Sequence, residues 1–136
     1  MMKRHAYHVD GSKPINDKVI FVFGSNLAGI HGAGAAKEAF VSYGAKWGTG
    51  SGQTGMSYAI PTKDHQIQTM PIDKITPYVN EFIKFATQYP TVGFFVTRIG
   101  CGLAGYKDSD IAPLFKGAPI NCSFAEDWRK YLETEL

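Results

Sequence analysis

The stretch that decides the fold is Val19-Ile20-Phe21-Val22-Phe23, which is followed directly by Gly24-Ser25-Asn26. Five consecutive apolar residues, all of them β-branched or aromatic, predict a central strand that is covered on both faces. Glycine and the two small polar residues then end the strand, and a Gly/Ala-rich segment leads into a predicted helix over residues 33–43. A buried strand that turns directly into a helix indicates an α/β layer fold.

The rest of the chain continues this alternation. Short apolar runs predict strands over residues 57–60, stopped by Pro61, and over residues 92–96. Apolar side chains at helical spacing predict a helix over residues 72–88. The glycine-rich residues 47–55, which precede the first of these strands, predict a loop. The sheet is therefore expected to be mostly parallel or mixed.

Weaker signals follow towards the end of the chain. Asp108 is a suitable N-cap for a helix over residues 109–115, and residues 118–122 form a candidate last strand. Ser123 is a suitable cap for a final helix that contains Trp128, Tyr131 and Leu132. Residues before Val9 are candidates for an edge strand.

Composition limits the classes of function. The 136 residues, 44% of them hydrophobic and 19% charged, suit one globular domain over residues 1–136. A net charge of +2 and the lack of a Lys/Arg run do not indicate a basic surface for nucleic-acid binding, so no nucleic-acid partner is expected. Residues 1–10 lack the apolar core of a signal peptide, and no apolar run approaches the roughly 18 residues that span a bilayer.

The cysteine pattern bears on compartment and metals. Cys101 and Cys122 have neither zinc-ligand spacing nor the density of a disulfide scaffold, so we expect a reduced, cytoplasmic setting. No cluster of His, Cys, Asp or Glu has metal-ligand spacing, so we expect neither a metal nor a cofactor.

Two glycine-rich loops follow the core strands, over residues 24–34 and 100–106. In an open α/β sheet, ligands bind beyond the carboxyl ends of the strands. Glycine allows close backbone approach, and the N–H groups of such loops attract phosphate oxygens. We expect both loops to face one crevice and to hold a diphosphate there. The alternative is that the glycines only make turns and allow tight helix–strand packing.

Two familiar nucleotide motifs do not fit. Gly24 and Gly29 have the spacing of a P-loop, but Ile30-His31 replaces the Lys-Ser/Thr that would hold phosphate and metal. The G-x-G-x-x-G pattern from Gly100 to Gly105 comes too late in the chain for a Rossmann unit. An NTPase and a dinucleotide-dependent oxidoreductase are therefore poor fits.

Three segments resemble macrodomains, which bind ADP-ribose: Gly32-Ala33-Gly34-Ala35-Ala36, Tyr58-Ala59-Ile60-Pro61-Thr62-Lys63 and Arg98-Ile99-Gly100-Cys101-Gly102-Leu103. Their order and rough spacing also agree, over residues 19–115. The branch that they resemble most contains the terminal ADP-ribose protein glycohydrolase. The resemblance implies a three-layer α/β/α fold with a mixed central sheet, and ADP-ribose or an ADP-ribosylated protein as partner.

The resemblance also implies roles for residues. Gly32, Ala33 and Gly34 would lie along the diphosphate and the distal ribose, and the second loop would grip the diphosphate from the opposite side. Lys63 would lie near the anomeric carbon of the distal ribose, which the corresponding lysine of the related hydrolases attacks. The predicted ligand-binding set is Ser25, Asn26, His31, Gly32, Ala33, Gly34, Gly100, Cys101, Gly102, Leu103, Ala104, Gly105 and Tyr106.

The sequence departs from the family in two places. Ala104 occupies the position of the aspartate that assists proton transfer in the family, and alanine cannot move a proton. Asp108 and Asp110 are the candidate catalytic acids if the loop folds back. The family's adenine-binding aspartate has only two candidates here, Asp10 and Asp17.

Several of these residues have a second interpretation. Lys63 also fits a solvated loop lysine, and Asn26 a strand-end turn residue rather than a ribose ligand. His31 is either a base or phosphate partner, or an exposed loop histidine without a role. Tyr106 either stacks on a ligand ring or covers the loop from outside.

Cys101 and Arg98 flank the start of the second loop. Cys101 is either a thiol whose pKa is lowered by nearby N–H groups or a small packed residue, and the packed residue is the favoured interpretation. Cys122 is expected to pack in the last strand. Arg98 is expected to anchor the second loop through a charge pair.

Three functions remain open on this evidence. One is ADP-ribose binding with hydrolysis by a Lys63 nucleophile. The second is a non-catalytic reader or sequestering module for ADP-ribose or an NAD-derived nucleotide, which Ala104 favours. The third is a phosphatase acting on ADP-ribose 1″-phosphate.

Overall fold

The computed structural model describes residues 5–133, and its centre is one six-stranded sheet. The strands are β1 (Tyr7–His8), β2 (Ile20–Asn26), β3 (Gly52–Thr54), β4 (Ser57–Lys63), β5 (Phe94–Val96) and β6 (Cys122–Ala125). Across the sheet they lie in the order β1-β6-β5-β2-β4-β3. Neighbours are parallel except β3 and β4, which are antiparallel, so the sheet is mixed.

Helices cover both faces of this sheet. They are α1 (Gly34–Ser42), α2 (Ile72–Gln88), α3 (Asp108–Ile111) and α4 (Arg129–Leu132), with 3-10 turns at Ala112–Phe115 and Glu126–Trp128. The helix predicted over residues 72–88 and the edge strand predicted before Val9 are both confirmed. None of the helices within residues 5–133 has the length and apolar character required to traverse a bilayer.

The alternation of side chains along β2 divides the core in two. Ile20 and Val22 belong to the larger core under α2, whereas Phe21 and Phe23 belong to a smaller core under α1. All four side chains are almost fully buried, and burial of each stabilises the fold by about 1.5–3 kcal/mol. A strand covered on both faces explains why the sequence reads as a continuous apolar run.

Two strands extend further than the sequence predicts. β2 continues through Gly24 and Ser25 to Asn26, and β4 continues through Pro61 to Lys63. Proline is tolerated there because the pairing of β4 with β3 ends at Ala59, which leaves an open edge beside Pro61. The consequence is that the chain leaves the sheet later, with Asn26 and Lys63 side by side.

The predictions for residues 47–55 and for the C-terminal part need correction. Strand β3 lies within the predicted loop, and the last strand occupies 122–125 rather than 118–122. The chain before β6 is a turn, in which the Cys122 N–H donates to the Pro119 carbonyl at 3.1 Å, and the side-chain amide of Asn121 contacts the carbonyls of Ala86, Tyr89 and Val92. Ser123 therefore lies within β6 and caps no helix.

Asp108 is the first residue of α3 and not its cap, because Arg98 and Trp128 bind its carboxylate. Residues 1–4 and 134–136 of the predicted domain lie outside the described residues, so the structure does not cover the first part of residues 1–10.

Candidate functional site

One cavity of about 630 Å³ lies at the carboxyl ends of β2, β4 and β5 and at the N-terminus of α1. Its volume falls within the range of about 300–1,000 Å³ that is usual for small-molecule sites. From the first loop it is lined by Ser25, Asn26, Ile30, Gly32, Ala33 and Gly34. From the second loop it is lined by Gly100, Cys101, Gly102, Leu103 and Ala104.

The N-terminus of α1 faces this cavity without a side-chain cap. The residue before the helix is Ala33, whose side chain cannot accept a hydrogen bond from the helix. The first hydrogen bond of the helix runs from the Lys37 N–H to the Ala33 carbonyl, at 3.2 Å, so the earlier N–H groups have no partner within it. Gly34 and Ala35 line the cavity at this helix end, which favours an anion there.

The second loop offers unpaired N–H groups on the opposite side. Its ends are fixed, since Cys101 donates to the Arg98 carbonyl at 3.1 Å and Tyr106 to the Gly100 carbonyl at 2.8 Å. Between these turns, the N–H groups of Gly102, Leu103 and Ala104 have no hydrogen-bond partner within residues 5–133. A Cβ built on Gly34 would lie 3.8 Å from Leu103 Cδ1, so the two loops approach each other closely.

A third glycine cluster, between residues 44 and 55, supports the first loop from behind. A Cβ on Gly50 would overlap the Asn26 carbonyl oxygen and lie 2.9 Å from Leu27 Cα. The Ser25 hydroxyl donates to the Gly50 carbonyl in the same contact. Gly50 is therefore needed for close packing against the first loop.

Asn26 fixes the shape of the first loop. Its amide donates to the Ile30 carbonyl at 2.9 Å, and its side-chain oxygen accepts from the Ile30 N–H at 3.0 Å. The side chain is buried, and both of its polar ends are engaged. The interpretation as a turn residue accounts for Asn26 better than the interpretation as a ribose ligand.

His31 is neither a ligand-binding residue nor an exposed loop histidine, so both interpretations of it from the sequence are wrong. Its side chain is only 1% exposed and does not line the cavity. The ring packs edge-on against Phe23 and Trp47, and Nε2 lies 3.0 Å from the Lys46 carbonyl oxygen. His31 is thus a packed residue that connects the first loop to the segment behind it.

Lys63 lines the cavity from the last position of β4 and is half-buried. It pairs in register with Asn26, and its carbonyl accepts from the Leu27 N–H at 2.9 Å. The extension of β4 past Pro61 therefore brings this lysine beside the first loop, at the end of a strand rather than within a loop.

The two candidate catalytic acids are held away from the cavity. Arg98 donates to both oxygens of Asp108, at 2.9 and 2.7 Å, and Trp128 Nε1 donates to the same carboxylate at 2.7 Å. Burial opposes the charge, but these hydrogen bonds outweigh it and lower the pKa of Asp108 below its ordinary 3.8. Asp110 is exposed and accepts from the Lys107 N–H at 3.0 Å. Neither carboxylate lines the cavity, where Ala104 forms part of the wall.

The structure also bears on the predictions for three other residues of the second loop: Cys101, Gly105 and Tyr106. Burial raises the pKa of the Cys101 thiol to about 12, with the carboxylate of Asp108 adding to the effect, which agrees with the favoured interpretation as a packed residue. Gly105 closes the turn through a 3.0 Å hydrogen bond to the Gly102 carbonyl and does not line the cavity. Tyr106 also lies outside it, donating to the Met70 carbonyl, and covers the loop from outside.

The end of the cavity remote from Lys63 contains residues that sequence reasoning missed. His8 stacks on Phe95 with ring centroids 3.7 Å apart, and its Nε2 lies 3.1 Å from the Val96 carbonyl oxygen. Burial lowers the pKa of His8, which favours the neutral ring. Beside it, Asp10 pairs with Arg98 at 3.2 Å and lines the cavity, whereas Asp17 is exposed and does not.

A short edge strand gives little sequence signal, which explains why His8 was missed. His8 lies near the end of β5 because β1 pairs with β6, and β6 pairs with β5. Cys122 is buried in β6, where burial raises the pKa of its thiol to about 12, in agreement with a packing role. Within residues 5–133, no group of three or more His, Cys, Asp or Glu side chains is arranged to hold a metal ion.

Comparison with known proteins supports the architecture. No protein-family model matches the sequence, and no curated protein is significantly similar to it. A solved structure, Thermosipho africanus DarTG in complex with ADP-ribose, is similar with a TM-score of 0.60 and 18% identity. The match covers 85% of this chain and 42% of that one, so this chain spans less than half of the other. The likeness confirms the fold expected from the sequence: a three-layer α/β/α macrodomain-like fold with a mixed central sheet.

Proposed function

We propose that the cavity binds ADP-ribose or a close derivative, with the diphosphate between the two glycine-rich loops. The observation that carries this proposal is that unpaired backbone N–H groups lie on two sides of one cavity. The uncapped N-terminus of α1 forms one surface, and the unpaired N–H groups of Gly102, Leu103 and Ala104 form the other. A similar fold has been solved with ADP-ribose, which supports the choice of ligand.

The two ends of the cavity suit the two ends of this ligand. The stacked rings of His8 and Phe95 lie at one end, and the Asp10 carboxylate there can accept a hydrogen bond from an adenine amino group. Lys63 lies at the other end, beside the first loop. We therefore orient the adenine towards His8 and the distal ribose towards Lys63.

Calorimetric titration with ADP-ribose tests this proposal. Gly102→Glu is expected to weaken binding at least about tenfold, because its carboxylate occupies the path of the phosphates. The variant should fold normally, since a Cβ on Gly102 meets no atom within 4 Å and its φ is not left-handed. Gly117→Glu is the matched control, because Gly117 has the same freedom but lies outside the cavity. Equal affinities for both variants would mean that the site is misplaced.

A second candidate function, hydrolysis of ADP-ribosyl linkages, is favoured by the position of Lys63 alone. A lysine nucleophile also requires a proton donor for the leaving group. The carboxylates that line the cavity are Asp10 and Glu38, and neither belongs to the second loop. We therefore propose a protein that binds first and hydrolyses slowly or not at all, as a reader or sequestering module would.

Release of ADP-ribose from a glutamate- or aspartate-linked ADP-ribosylated protein separates these two functions. We expect little release by the wild type and faster release by Ala104→Asp, which restores a carboxylate at the position of the family's aspartate. Lys63→Ala should abolish this gain, whereas Lys84→Ala, an exposed change on α2, should not affect it. Rapid wild-type release that survives Lys63→Ala would contradict the assignment of Lys63.

A further inference from the structure

Three branched aliphatic side chains line the cavity and yet remain exposed to solvent. They are Ile30, Ile67 and Leu103, which are 44%, 40% and 71% exposed. We call them the apolar collar. Exposed apolar groups on the wall of a polar ligand site usually contact something that the site binds.

Backbone contacts bring the collar to the Lys63 end of the cavity. The side chain of Asn26, the register partner of Lys63, holds the backbone of Ile30. Ile67 belongs to the turn that follows Lys63 and returns to it, since Lys63 and Thr69 form a bridge. Thr69 Oγ1 then donates to the Ala104 carbonyl at 3.0 Å, next to Leu103.

Ile67 is held in a conformation that isoleucine rarely adopts. Its φ is +62°, and within residues 5–133 it is the one residue other than glycine in the left-handed region. The carboxylate of Asp64 enforces the turn by accepting from the N–H groups of Gln66 and Gln68, at 2.9 and 3.0 Å. Glycine or asparagine would fit this turn without strain, so an isoleucine on the cavity wall points to a role for its side chain.

Charge limits what the collar accepts. Lys63 is the charged residue of the cavity wall beside the collar. The other charged lining residues have partners elsewhere: Asp10 and Arg98 pair near His8, and the charge of Glu38 adds to the raised pKa of Tyr43, which follows α1. Asp64, in the collar's own turn, binds backbone N–H groups, and neither it nor the neighbouring His65 lines the cavity. A cationic group at the collar would meet Lys63, whereas a neutral apolar group would not.

We propose that the apolar collar is a subsite for a neutral, apolar ring carried on the distal ribose of the ligand. The inference rests on the proposed function, because it takes the diphosphate loops to fix the ribose near Lys63. It narrows the substrate class from ADP-ribose itself to ADP-ribose bearing a neutral cyclic substituent, and disfavours cationic substituents.

Three probes test the subsite in one titration series. ADP-ribose carries no ring on its distal ribose, NADH carries a neutral dihydronicotinamide, and NAD⁺ carries a cationic nicotinamide. We expect NADH to bind about tenfold more tightly than ADP-ribose, the gain that burial of roughly 55 Å² of apolar surface provides. NAD⁺ should bind more weakly than NADH, and NADH fluorescence should shift to shorter wavelength as the ring leaves water.

Ile67→Asn is the informative variant. Asparagine adopts the left-handed conformation readily, so the turn should persist while the apolar side chain is lost. In this variant, the ratio of the NADH affinity to the ADP-ribose affinity should fall from about ten towards one. Ile120→Asn removes an isoleucine of similar exposure (46%) outside the cavity and should change neither affinity.

The outcomes separate the two proposals. If ADP-ribose binds but NADH binds no better, or if Ile67→Asn weakens both ligands equally, the collar is not a ring subsite and the proposed function stands. If neither ligand binds, the proposed function fails and the inference fails with it.

Discussion

At the scale of single residues, polar side chains near the cavity mostly hold backbone in place. Asn26 binds both polar groups of Ile30, and His31 packs behind the first loop. Asp108 links Arg98 to Trp128 and so fixes the start of the second loop. Sequence alone made these residues candidate ligands or acids, because it shows the residue type but not the partner.

Asp108→Asn is expected to destabilise the protein by about 1–3 kcal/mol at pH 7, because it removes the charge that binds Arg98 and Trp128. The pKa of Asp108 is lowered in the fold, so its stabilisation is present above its ordinary pKa of 3.8 and is lost as the pH falls through the lower folded value.

Urea denaturation of the wild type and this variant at pH 7 and pH 3 measures both effects. The difference in the free energy of unfolding should shrink at pH 3. Asp110→Asn, at an exposed carboxylate on the same helix, serves as the control and should lower the free energy of unfolding by less than Asp108→Asn does. A stability difference that is absent at pH 7 would exclude the anchoring role of Asp108.

At the scale of elements, the site depends on how the first loop and α1 meet the segment behind them. α1 begins without a capping side chain, and its free N–H groups belong to the cavity instead. The first loop, in turn, lies directly against Gly48 and Gly50. The glycines around the first loop therefore serve two purposes. On the cavity side they allow a ligand to approach the backbone, and on the opposite side they allow tight packing.

Gly50→Ala tests the packing side of this arrangement. The added methyl group would overlap the Asn26 carbonyl and push the first loop, at a cost of about 1–3 kcal/mol in stability. ADP-ribose affinity should also fall, although Gly50 does not line the cavity. Thermal denaturation and calorimetry measure the two effects, with Gly117→Ala as an unhindered control. Wild-type stability and affinity for Gly50→Ala would show that the loop adjusts freely.

At the scale of the whole molecule, sheet topology assembles the site from distant segments. The order β1-β6-β5-β2-β4-β3 places the first strand beside the last, so His8 stacks on Phe95 and Asp10 reaches Arg98 across 88 positions. The same topology places the ends of β2, β4 and β5 at one edge. This is where parallel strands in α/β folds place ligands.

The sequence by itself determined the central strands, the long helix α2 and the α/β class, because buried strands and amphipathic helices leave periodic apolar patterns. It also located the two glycine-rich loops, since glycine is conspicuous in any context. Only the tertiary structure decided that His31 is buried, that Asp108 binds Arg98, and that His8 lines the cavity. Those outcomes depend on contacts between residues far apart in the chain, which no local pattern encodes.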